Sequence, residues 1–247
     1  MFHLFKLWKS LGVCVCGMAM AGVAAHASLI ANGSFENYTG SVANAGDNAI
    51  DLAGAGLLNW SDASGVAEAL VFPSWYGNYL FNIPGPIGPV GLAGPLPATS
   101  PDGGNFIISD SDYLTSAIFQ TINGLTPGAS YQLSFYQALA QDSQPVTQPG
   151  AVSAYWQVAL GAGTQTSTQM YADGSIPTVS NWQAQTMTFV ASSASEVLSF
   201  LAVGTGVPPM AALDGVSLTE TPEPAAFWML GAGGLLLARR LMVLRRR

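Results

Sequence analysis

The sequence predicts an all-β protein, an antiparallel β-sandwich or jelly roll, and three observations carry the prediction. Apolar and polar residues alternate through much of the central region, as in Tyr131, Leu133, Phe135, Gln137 and Leu139 against Gln132, Ser134 and Tyr136. That is the two-residue period of a strand with one buried face. Helical periodicity is nearly absent there, and turn-forming residues recur at the spacing of short antiparallel strands.

Taken in order, strands are predicted at 117–122, 131–139, 153–160, 165–171, 183–191, 197–203 and 212–219. Asn123-Gly124 and Thr126-Pro127-Gly128 follow the first, Gly161-Ala162-Gly163 the third and Asp173-Gly174 the fourth. Upstream, residues 84–101 carry six prolines with regularly placed glycines, including Gly85-Pro86-Ile87-Gly88-Pro89-Val90-Gly91. Too few triplets are present to sustain a collagen helix, so a long extended surface loop is expected. The region 28–221 has the length of one domain and can bury a proper core.

Two terminal pieces flank it. Residues 1–27 have Lys6 and Lys9 near the start, an apolar stretch, and Ala25-His26-Ala27 before Ser28. This reads as a secretory signal peptide, helical when inserted, cleaved by signal peptidase between Ala27 and Ser28. Cys14 and Cys16 would leave with it, so no disulfide is expected in the exported protein. Residues 222–247 begin with Pro222, Glu223 and Pro224, continue through an apolar stretch, and end in Arg239, Arg240, Arg245, Arg246 and Arg247. A C-terminal transmembrane helix is expected, with its arginines on the cytoplasmic side and the body outside.

All seven Lys and Arg residues, both histidines and both cysteines lie in these end pieces. The body therefore offers no imidazole base, thiolate nucleophile, Schiff-base amine or guanidinium clamp. All fourteen Asp and Glu residues except Glu223 lie within the body, making it far more acidic than the whole-chain net charge of -7. Nucleic acid is disfavoured as a partner.

The Pro-Glu-Pro triplet, the Gly- and Leu-rich apolar stretch and the terminal arginines, in that order, resemble the PEP-CTERM sorting signal of exopolysaccharide-producing Gram-negative bacteria. The resemblance implies transient inner-membrane anchoring, processing by an exosortase-type enzyme, and delivery to the cell surface or extracellular matrix. In the body, Asn32-Gly33-Ser34-Phe35-Glu36, Phe119-Gln120-Thr121, Gly124-Leu125-Thr126-Pro127-Gly128, the run from Trp182 to Phe189 and Leu213-Asp214-Gly215-Val216-Ser217-Leu218 are similar to the galactose-binding-like jelly roll of carbohydrate-binding modules. That fold hosts many functions.

Asp214 lies in a strand where Ala212, Val216 and Leu218 share its phase, so a buried carboxylate is expected. Backbone donors or a bound cation must satisfy it, and oxygen-only ligands select calcium. The resemblance implies a structural calcium held by Glu36 and Asp214. Trp75, Tyr76 and Tyr79 cluster in a segment rich in Gly, Asn and Pro, with Asn78 and Asn82 beside them, and form a candidate sugar-stacking site. Trp60, Trp156 and Trp182 are expected to pack. Thr164, Thr166 and Thr168 read as a solvated outer face.

The leading reading is a non-catalytic exported surface or matrix protein with polysaccharide as its ligand. A purely structural biofilm component is the alternative. A carboxylate glycosidase using Asp110, Asp112, Asp102 or Glu68 is a second alternative; Asp110 and Asp112 share a face only if their segment is extended.

Overall fold

Alternation of buried and exposed side chains turns the central sequence into strands, and the computed structural model describes residues 27–39, 50–51, 57–62, 69–73, 83–85, 88–90, 100–113, 115–141, 150–174, 179–206 and 209–221. The remainder of the predicted signal peptide, the tail from Pro222, and Trp75, Tyr76 and Tyr79 lie outside the described residues. Among the described residues the regular structure is all strand. The shorter strands are β1 (Ile50–Asp51), β2 (Ser61–Asp62), β3 (Ala69–Pro73), β4 (Ile83–Gly85), β5 (Gly88–Val90), β10 (Gly163–Thr166) and β11 (Met170–Ala172). The principal ones are β6 (Asn105–Asp110), β7 (Ile118–Asn123), β8 (Ser130–Gln141), β9 (Val152–Leu160), β12 (Gln183–Val190), β13 (Ser195–Thr205) and β14 (Pro209–Glu220).

They form two large antiparallel sheets, ordered β1-β3-β6-β14-β8-β12 and β10-β9-β13-β7-β2, with β11 also on β9, and a separate β4-β5 pair. Successive principal strands from β6 to β9, and again from β12 to β14, alternate between the sheets, so their connections cross the sandwich. The inward faces meet in one apolar core, where Phe200 of β13 packs against Trp60, Phe135 and Trp156. The Trp156 indole N–H crosses the core to donate to the Ala212 carbonyl at 3.1 Å. Trp60 and Trp156 are buried, and Trp182 packs edge-on to Phe106.

Part of the first sheet, from β6 to the stretches of β14 and β8 aligned with it, is buried on its other face too. Phe106, Ile108, Ala138, Ala140, Met210 and Ala212 are inaccessible to solvent yet do not belong to the inter-sheet core. They stand in register with one another, Ala212 opposite both Ala138 and Ile108. All six residues of β6 are consequently buried. A strand covered on both faces loses its alternation, which is why this one escapes the sequence pattern.

Four expectations are corrected. Asp214 is fully buried, but not in phase with Val216 and Leu218: a β-bulge between Asp214 and Ser217 inserts one residue, with Gly215 at φ 59. Val216 and Leu218 face the inter-sheet core, whereas Asp214 and Ala212 face the outer layer. The strand expected at 165–171 is broken into β10 and β11, because residues 167–169 stand opposite only two residues of β9. There the Ser167 hydroxyl accepts the Trp156 N–H at 2.9 Å. The proline-rich stretch 84–101 is not wholly loop, since β4 and β5 pair. Asp110 ends β6 while Asp112 lies in the bend beyond it, so the two share no strand face.

Thr164, Thr166 and Thr168 are exposed, as expected of an outer face. The N-terminal segment completes the edge of β14: the Leu29 N–H donates to the Leu218 carbonyl, and the Leu218 N–H to Ser28 Oγ. Thr221, just past β14, donates its N–H to Ser130.

Candidate functional site

Three separated stretches meet at the β2 edge of the second sheet and enclose an open groove of about 700 Å³. Its floor is the outward row of β7, Phe119, Thr121 and Asn123, which alternate with the buried Ile118, Gln120 and Ile122. Its wall comes from residues 29–31 and 57–61.

Gln120 fastens wall to floor. Its Oε1 accepts the Ala31 N–H at 2.9 Å, and its Nε2 donates to the carbonyls of Ala31 at 2.8 Å and Asn59 at 3.0 Å. Asn32 braces the wall from behind: its Nδ2 donates to the carbonyls of Asn37 and Leu58, its Oδ1 accepts the Asn37 N–H, and its own carbonyl accepts the Trp60 indole N–H. Both Asn32 and Asn59 adopt left-handed backbone, at φ 54 and 71. Asparagine tolerates that region better than most residues, and such strain persists only where the surroundings over-determine it.

Among the described residues, no charged side chain lines the groove. What faces the opening is a half-buried phenyl ring, an exposed Leu58, two exposed amides and hydroxyls. Such a surface suits an uncharged, polyhydroxylated ligand with some apolar face. The sequence pattern missed it because its parts are far apart in the chain; the one local signal is an asparagine able to turn left-handed beside Trp60.

The second notable cluster sits at the bulge of β14. Asp214 Oδ1 accepts the Gly215 N–H at 2.7 Å. Among the described residues its Oδ2 has no hydrogen-bond partner, and neither does the buried Ser100 Oγ. Burial, aided by the charges of Asp102 and Glu36 and opposed by the Ser100 hydroxyl and Gly215 N–H, gives the carboxyl a net rise from 3.8 to about 7. Ser100 thus lies close enough to lower the Asp214 carboxyl, without the geometry of a full hydrogen bond. Glu36 is exposed, and its carboxylate accepts the Asn105 N–H. Glu36 and Asp214 therefore lie within electrostatic reach of each other. Among the described residues, however, no three His, Cys, Asp or Glu side chains gather closely enough to hold a metal by themselves.

Other carboxylates serve turns. Asp110 Oδ1 accepts the N–H groups of Asp112 and Tyr113. Glu196, tucked at the end of β13, accepts the Ser192 hydroxyl and N–H and the Ser193 N–H. Burial works to raise Glu196, but these donors prevail and hold it below its ordinary value.

No protein-family profile matches the sequence, and no curated protein matches it. Among solved structures, the chain is similar to the enzymatically active domain of bacteriophage CBA120 tailspike protein 4, at 11% identity and a TM-score of 0.37, over 78% of this chain and 21% of that one. It is also similar to TmCBM61, solved in complex with beta-1,4-galactotriose, at 10% identity and a TM-score of 0.39, over 78% and 99% of the two chains. A third likeness is to the CBM22-1 xylan-binding domain of Paenibacillus barcinonensis Xyn10C, at 12% identity and a TM-score of 0.40, over 81% and 99%.

Proposed function

We propose that this is an exported, non-catalytic glycan-binding protein of the cell surface or extracellular matrix, sorted by an exosortase-type system. The observation that carries the binding function is the groove: a rigidly braced opening whose described lining offers an aromatic ring, amides and hydroxyls, and no charge. A non-catalytic role is supported by the body's lack of histidine and cysteine, and by the engagement of Asp110 and Glu196 with backbone donors. Export and sorting rest on the terminal sequences. Trp75, Tyr76 and Tyr79 remain candidates for further sugar contacts.

A structural calcium ion belongs to the same proposal. The unpartnered oxygens of Asp214 and Ser100 fit a hard cation, with Glu36 and Asp102 adding negative charge. Bound, it would neutralise the buried carboxylate and pin the turn at 100–104 to the bulge.

Affinity electrophoresis of the mature protein through gels containing the host's exopolysaccharide tests the binding function. Retardation is expected; unretarded migration in every polysaccharide gel, with calcium present, would leave the purely structural reading. Mass spectrometry of the secreted protein tests the sorting, which fails if Arg245, Arg246 and Arg247 are still attached.

A further inference from the structure

We infer that the groove between Asn59 and Asn123 is the glycan subsite, and that it selects uncharged sugar chains over anionic ones. This rests on the glycan-binding reading and narrows it to a site and a ligand class. Asn123 Oδ1 accepts the Ser195 hydroxyl at 2.8 Å, which fixes the amide plane and leaves its Nδ2 for a ligand. The Asn59 side chain lines the same groove and makes no hydrogen bond to any described residue, while its backbone is held by Gln120. Two amides thus line the same groove as the half-buried Phe119 ring. Amides that can both donate and accept match neighbouring sugar hydroxyls, and the ring matches the C–H face of the sugar.

Beyond the groove, the next strand continues the face with uncharged residues. Phe119 stands opposite Ser199 of β13, and Thr121 opposite the exposed Val197. A chain leaving the groove in that direction crosses hydroxyl and aliphatic groups only. An anionic glycan would find no cation to pair with in the groove, and none anywhere in residues 28–221, which carry nearly all the acidic groups.

The test uses the mature protein with neutral galactan and xylan, and anionic polygalacturonate, as probes. Retention by at least one neutral chain is expected, none by polygalacturonate, and no change on raising salt to about 0.5 M, since screening acts only on charge. Asn59→Gly, which keeps the left-handed backbone while removing the amide, and Asn123→Ala should each weaken the neutral interaction about fivefold to tenfold. Unchanged melting temperatures establish that both variants are folded. Neutral binding that ignores both substitutions overturns the site but leaves the glycan-binding function standing. Preference for polygalacturonate overturns the selectivity, and failure to bind any glycan overturns both readings.

Discussion

Asp214 shows what a single residue contributes and how far its sequence context reveals it. Its burial was legible from the apolar neighbours, but the face it occupies was not, because a one-residue bulge leaves no mark except Gly215. The carboxyl is held at about 7 in the folded protein against an ordinary 3.8. Because the folded value is the higher one, the protonated form favours folding. That contribution is complete below about pH 4 and is lost as pH rises through about 7. Asp214→Asn should therefore flatten stability between about pH 4 and pH 8, and in EDTA at pH 8 raise the melting temperature above that of the parent. Urea melts across that range would show it, and an unchanged slope would mean the carboxylate is solvated. Glu196 runs the other way: its lowered value supplies stability that disappears as pH falls.

At the scale of elements, the seven strands predicted from alternation coincide with β7, β8, β9, β12, β13 and β14 within a few residues, and with the broken pair β10 and β11. What was not legible has a physical cause. β6 is covered on both faces, so it does not follow simple alternation. Two elements are open to direct test. A Cβ on Gly215 would come within 2.9 Å of the Tyr136 ring and 3.1 Å of Asp102 Cβ, at a backbone angle other residues avoid. Gly215→Ala should destabilise the fold by about 1–3 kcal/mol in denaturant titration. Gln120→Ala removes the three hydrogen bonds joining β7 to the groove wall, at a cost of about 2–4 kcal/mol. Amide exchange at Ala31 should then accelerate more than at core positions such as Leu198; equal acceleration would mean global loosening.

For the whole molecule, the sandwich was legible because its periodicity is repeated in strand after strand. The groove was not, because it is assembled from residues near 30, 58 and 121 whose proximity follows only from the topology. The acidic cluster lies between these cases: Glu36 and Asp214 were singled out, whereas Ser100 and Asp102 join them only through folding. Calcium at about a hundredfold its Kd should stabilise the parent by about 2.7 kcal/mol at pH 8, reversibly with EDTA, and Asp214→Asn by much less. Calorimetry with and without the ion decides this, since an identical midpoint would dismiss the cation. Finally, Ser28 is bonded to Leu218, and Thr221 follows three residues later, just past β14. Such a gap is about 10 Å of extended chain, so the path from Ser28 to Thr221 almost closes into a ring. A short glycine linker could join the two positions and a new opening could be cut at a distant hairpin, giving a circular permutant with its β-sandwich preserved.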